Sequence, residues 1–211
     1  MDFRHELYGK FPYLVGAVLL LTFLILMMFF QSVFLPLKAI AMNILSILAT
    51  FGVLVMIFQH GWGAGIAGFD PVGAIAVITP AILFVILFSL STDYEVFMLS
   101  RIKEYYSQTH DNEESVARGL QHTGGIITAA GLILIGVFGS FATAGIVTIK
   151  EIGLGLAIGV LIDTVVVRTI MVPATMRLAG NINWTMPAWL KRCVPELREG
   201  PVEETPAPAP D

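Results

Sequence analysis

Three carboxyl groups and one tyrosine fall where charge is otherwise scarce. Asp93 and Glu95 interrupt one long apolar run with Tyr94 between them, and Asp163 interrupts another. An ionisable group near the centre of a bilayer costs about 2.5 to 3.5 kcal/mol on insertion scales, so each acid is by default a functional hypothesis. A carboxyl removed from water changes protonation state when its water access or its charged neighbours change. That is the property required of a proton relay. A tyrosine beside it can donate a hydrogen bond to the carboxylate across a helix contact. At about 100° per helical residue, Asp93 and Glu95 point to nearly opposite sides, so they form no catalytic carboxylate pair with each other.

Ser89, Asp93, Phe97 and Ser100 share one face, and Ser91, Glu95, Leu99 and Ile102 share the other. Glu95 lies half a turn nearer Arg101, where water or a basic partner is cheaper to reach. The expectation is therefore that Asp93 is the buried titrating group, with Tyr94 at its side and Ser89 as polar support. The plainer alternative is that Asp93 only bonds between helices. Asp163 repeats with Gly155 and Gly159 at i, i+4, i+8, on the stripe of a GxxxG pair. Small residues let helices approach closely in a membrane, and a polar group on the seam can bond across it. A supporting role for Asp163 follows. Arg168 falls about 140° around an α-helix from Asp163, so no direct pair is expected within one helix. Thr128 is a further supporting candidate and Thr123 a weaker one, although threonine in a membrane helix usually bonds its own i−4 carbonyl.

These residues need helices to hold them. Of the 211 residues 56% are hydrophobic and 13% charged, with a mean hydropathy of +0.80, which excludes a water-soluble core of this size. Between Lys10 and Lys38 lie 27 uncharged residues, between Lys38 and Asp70 another 31, between Asp70 and Asp93 22, and between Arg118 and Lys150 31. About 20 predominantly apolar residues suffice for a helix to cross the hydrocarbon. Five spans are predicted, at 12–34, 39–58, 73–100, 121–139 and 152–176. All are helical, because an open sheet edge cannot face lipid. The fold class is thus all-α, a polytopic membrane helix bundle. Residues 1–11 form a short extracytoplasmic segment, 12–180 the bundle, and 181–211 a cytoplasmic tail. Asp111 or Asn112 is placed to cap a short helix in the polar connection before the fourth span.

Five acidic residues and one basic residue lie in the Pro- and Glu-rich segment Pro195–Asp211, so the net charge of −4 belongs to a tail with little to bury. With five spans, Arg4, Lys10 and Lys150 fall on one side of the membrane. Lys38, Arg101, Lys103, Arg118, Arg177, Lys191, Arg192 and Arg198 fall on the other. The excess puts the C-terminus in the cytoplasm of a multi-pass cell-membrane protein. Arg4 and Lys10 ahead of the first span favour the opposite start, a conflict that upstream helices would resolve. A single Cys193 excludes an internal disulfide, and four scattered histidines make no metal-ligand spacing. No GxxxxGK[ST] loop occurs, so ATP is not the energy source. No cofactor and no nucleic-acid partner are expected.

The segments FSLSTDYEVFMLSRIKEYY, ESVARGLQHTGGIITAAGLILIGVF and GLAIGVLIDTVVVRTIMVPATM occur in an order and spacing that resembles the last three transmembrane helices of MMPL-type transporters of the resistance-nodulation-division superfamily. The first two spans fit the preceding helices, so the resemblance covers about residues 8–180. It implies a proton-relay role for Asp93 and Tyr94, and an Asp followed by an Arg in the final helix, here Asp163 and Arg168. Such transporters resemble two repeated six-helix halves, each with an extracytoplasmic domain after its first helix. The resemblance therefore implies a truncated or split unit, partnered by a missing N-terminal half or upstream helices, by membrane lipids, by a hydrophobic substrate and by protons. Oligomerisation is left open. The expected function is the membrane portion of a proton-motive-force-driven exporter of lipids or other hydrophobic molecules, a secondary transporter component and not an enzyme. One alternative is a lipid- or sterol-sensing bundle without transport, which needs no titrating acid. An intramembrane aspartyl protease is disfavoured, since such enzymes resemble YD and GxGD motifs, whereas Asp163 here follows Val160-Leu161-Ile162.

Overall fold

The computed structural model describes residues 3–62 and 73–186, with side chains from residue 9 onward. Among these residues five helices are long and apolar enough to cross a membrane. Helix α1 is Phe3–Phe30. Helix α2 is Phe34–Leu54, extended by a π-helical turn over Val55–Gln59. Helix α3 is Thr79–Thr109 and α4 is Asn112–Gly139. Helix α5 is α-helical over Val147–Ile162, widens to a π-helix over Asp163–Met171, returns to α-helix over Val172–Ala179 and tightens to a 3-10 helix over Gly180–Trp184. The chain alternates direction. The basal end of the bundle carries residues 31–33, 110–111 and 177–186, and the apical end carries residues 60–62, 73–78 and 140–146.

The ends of the helices differ from the sequence expectation for local reasons. Pro80 sits in the first turn of α3, where its missing N–H is not needed, so the helix starts at Thr79 and not near residue 73. It then runs through the polar stretch after Arg101 and stops at His110, whose left-handed φ of 53° lets its N–H bond Tyr106 O at 2.9 Å. Asp111 caps the next helix as expected, accepting from the backbone N–H of Glu113 at 2.8 Å and of Glu114 at 3.1 Å. That helix is not a separate short element. It is the first turns of α4, which continues into the membrane. The predicted tail also begins too early. Asn183 is fully buried and donates to Met176 O at 2.7 Å, while Trp184 stacks on Tyr106 at 4.3 Å between ring centroids and donates through Nε1 to Asn112 Oδ1 at 2.9 Å. Residues 187–211 of the expected tail lie outside the described residues, as does 63–72 of the connection after α2.

The core is built on a seam between α3 and α5, which run parallel. Glu151, Gly155, Gly159 and Asp163 recur every four residues along α5 and meet Thr79, Leu83, Leu87 and Ser91, spaced likewise along α3. A Cβ on Gly155 would come within 2.8 Å of Leu83 Cδ1, and one on Gly159 within 2.6 Å of Leu87, so only glycine lets the helices approach this closely. The polar rungs close the seam at either end. At the apical end the buried Glu151 accepts from Ala76 N at 3.0 Å and Thr79 Oγ1 at 2.9 Å, pinning the start of α3. Leucine and phenylalanine from α2, α3 and α5 fill the apical core, among them Leu54, Phe58, Leu83 and Leu87. Leu35, Met98, Ile102 and Met176 fill the basal core. Outward, Leu20, Leu21, Ile25, Leu132, Ile133 and Ile170 are exposed, the surface expected where lipid is the solvent.

Candidate functional site

Helix α3 presents two carboxylates in opposite settings. The face bearing Leu83, Leu87, Ser91, Glu95 and Ile102 turns inward, and Glu95 is only 2% exposed. The face bearing Val85, Ser89, Asp93 and Phe97 turns outward. This reverses the expected burial. Asp93 is the exposed acid of the pair and Glu95 the enclosed one, because the stripe through Glu95 carries the leucines that dock on the glycines of α5. Asp93 instead lines a cavity of about 240 Å³ between α1 and α3, with Val18, Thr22, Phe84, Val85, Phe88, Ser89 and Thr92. Ser89 shares that groove as its spacing predicts. No hydrogen bond or ion pair among the described residues engages Asp93.

The inward face meets a buried polar cluster. Ser91 Oγ lies 2.7 Å from Asn43 Oδ1 on α2 and 2.8 Å from Asp163 Oδ1 on α5. Arg168 Nε donates to Asp163 Oδ2 at 2.7 Å, and Nη2 reaches the same oxygen at 2.7 Å, Ser91 O at 2.5 Å and Ser91 Oγ at 3.1 Å. The Asp163–Arg168 pair contradicts the expectation from α-helical rotation. Its cause is the π-helix over Asp163–Met171, whose i→i+5 bonding stacks residues five apart, as Thr169 Oγ1 also shows by bonding Thr164 O at 2.9 Å. The guanidinium Cζ stands 5.2 Å from the centre of the Tyr94 ring, a cation–π contact. Tyr94 thus belongs to the inward cluster as much as to Asp93. Beside it Glu95 lies in the fields of Arg168, Lys38 and Asp163, with Asn43 adjacent but neither carboxylate oxygen in hydrogen-bond geometry.

Sequence reasoning missed Lys38, Asn43 and the part played by Ser91. The predicted spans 12–34 and 39–58 leave Lys38 in the connection between them. Pro36 instead occupies the first turn of α2, and Lys38 is buried with Nζ 3.5 Å from Val172 O. The charge asymmetry between the two ends survives without it. A lysine and an asparagine on one helix, five residues apart, were the available signal. Thr123 bonds Gly119 O at 2.8 Å, the self-satisfying pattern expected of it. Thr128 lies exposed on α4, and none of the bonds around Asp163 and Arg168 reaches it.

Among the described residues, five apolar helices enclosing a charge-paired cluster, with a further acid facing outward and without a partner, define the membrane portion of an integral membrane protein built around ionisable groups. More narrowly, the chain belongs to the MMPL family, whose family model matches residues 2–199. It is 42% identical over 210 residues to a membrane protein of Streptomyces coelicolor, covering 100% of this chain and 30% of that one. It is 38% identical over 196 residues to the heme uptake protein MmpL11 of Mycobacterium tuberculosis, covering 93% of this chain and 20% of the relative. It is 36% identical over 202 residues to the trehalose monomycolate exporter MmpL3 of Mycolicibacterium smegmatis, covering 96% and 20%. The chain therefore spans 20 to 30% of the length of these relatives.

Proposed function

We propose that this chain is the membrane portion of a proton-motive-force-driven exporter of lipids or other hydrophobic molecules, with Asp93 as the proton acceptor and Tyr94 beside it as the second residue of the relay. The observation that carries this is a carboxylate without a partner among the described residues, on a membrane-length helix, facing a groove and not the ion-paired cluster behind it. Such a group is too costly to leave against lipid. We assign that face to the remaining helices of the transporter, and the shorter coverage of the relatives fits this. The family membership and the exporter among its relatives support the transport class. One relative is named for heme uptake and another for export of trehalose monomycolate. Arg101, Lys103, Arg118 and Arg177 at the basal end, against Lys10 and Lys150 at the apical end, support a cytoplasmic C-terminus in the cell membrane.

Protons would supply about 2.3 kcal/mol per elementary charge for each 100 mV. The intact protein, reconstituted in liposomes with a fluorescent long-chain lipid, should move that lipid when a pH gradient is imposed and stop when a protonophore collapses it. Movement that persists without the gradient would remove proton coupling from this account.

A further inference from the structure

We propose that Asn43 is a proton barrier: its side-chain amide separates the outward groove that holds Asp93 from the inward cluster, so that a proton reaching Asp93 does not run on to the basal end. The proposal deepens the transport reading and rests on it for Asp93 as the acceptor. Two cavities lie against consecutive residues of α3. Thr92 lines the groove of about 240 Å³ beside Asp93. Ser91 lines a smaller cavity of about 10 Å³ with Tyr94 and Asp163, room for about one water. Asn43, buried on α2, bonds to both residues. Its Oδ1 accepts from Ser91 Oγ at 2.7 Å, and its Nδ2 donates to Thr92 Oγ1 at 3.5 Å. The amide is thus the wall between the two spaces.

A proton moves along hydrogen bonds only through groups that take one up on one side and release one on the other. Water, hydroxyls and carboxyls do this. A carboxamide does not, since its nitrogen donates without accepting and its oxygen accepts with no proton to give. The bonds around Asn43 also run the wrong way for passage. Thr92 commits its own proton to Phe88 O at 2.7 Å, so a proton arriving at Thr92 is led to a backbone carbonyl and not across. Beyond the wall the polar groups continue toward the basal end. Ser91 Oγ stands 2.8 Å from Asp163, which holds Arg168, and Glu95 lies in the fields of Arg168 and of Lys38, near the basal start of α2. A groove opened into that file would carry protons past Asp93. The amide blocks the route while giving both hydroxyls a partner, which an apolar side chain cannot do. The barrier acts with the Asp163–Arg168 pair as it stands and needs no change of charge in the cluster.

The test measures proton entry and lipid movement in the same vesicles. The intact protein is placed in liposomes that enclose a pH-sensitive dye and carry the fluorescent long-chain lipid. Asn43→Ser shortens the wall and puts a hydroxyl in it. Asn43→Asp keeps the size but makes the wall a group that takes up and releases protons. Each should raise the number of protons entering per lipid moved several-fold. Adding Thr92→Val to Asn43→Ser removes the hydroxyl on the groove side and should bring the ratio back toward wild type. A variant that melts like the wild type and keeps its ratio overturns the barrier, as does a leak that Thr92→Val leaves untouched. A wild-type ratio that climbs as the gradient is steepened also overturns it, and that result needs no variant. If proton entry rises in the variants while lipid movement in the wild type ignores the gradient, the transport proposal fails and the barrier stands.

Discussion

Two residues apart on α3, Glu95 and Asp93 live under different physics. Around Glu95 the neighbours are paired and packed: Arg168 on Asp163, Ser91 on Asn43 and Asp163, leucines on glycines. Around Asp93 there is a groove with Ser89, Thr92 and phenylalanines, and no partner among the described residues. A helix buried on one side only is the reason, since each half-turn carries a side chain from the core to the surface. The inward face holds the fold together and sets its register. The outward face leaves its carboxylate without a partner among the described residues. Changes on the inward face should therefore cost stability, and changes on the outward face should cost transport and leave the fold alone.

The largest break in that contrast is Arg168→Met. It removes the cation that holds Asp163 and leaves two enclosed acids near Lys38 alone, and stripping one partner from a buried pair costs about 3 to 5 kcal/mol. Thermal unfolding of the purified intact protein should show a clear loss of Tm; an unchanged Tm would mean the cluster is not structural. Gly119→Val comes next. A Cβ there would meet the Ile102 backbone at 3.0 Å on the inward side of α3, overpacking that costs about 1 to 3 kcal/mol, read in the same melting experiment. Trp184→Ala should cost about 1 to 2 kcal/mol by losing the Tyr106 stack and the bond to Asn112. Ser89→Ala, in the outward groove, should stay within about 0.5 kcal/mol of wild type. A melting loss for Ser89→Ala as large as that of Trp184→Ala would erase the distinction between the faces.

Much of this was legible in the residues. The five helices follow from uninterrupted apolar runs, the start of α4 from Asp111, and the α3–α5 seam from Gly155, Gly159 and Asp163. What escaped was rotational. A constant 100° per residue separates Asp163 from Arg168, and nothing local in DTVVVRTIM marks the wider turn that unites them. Which face of α3 is buried depended on weighing polar neighbours of Asp93 against the leucines in line with Glu95. The leucines decide it, since their burial outweighs a serine or two. Lys38 falls inside α2 because that helix starts at Phe34, with Pro36 in its first turn, where a proline is tolerated.

The most direct measurement is proton-gradient-driven lipid movement by the intact protein carrying Asp93→Asn, compared with Tyr94→Phe and with the melting temperature of each. Asp93→Asn should abolish movement at an unchanged Tm, and Tyr94→Phe, which keeps its ring under Arg168, should weaken it less. Full transport by Asp93→Asn would contradict the account, because the outward carboxylate would then have no role in moving protons.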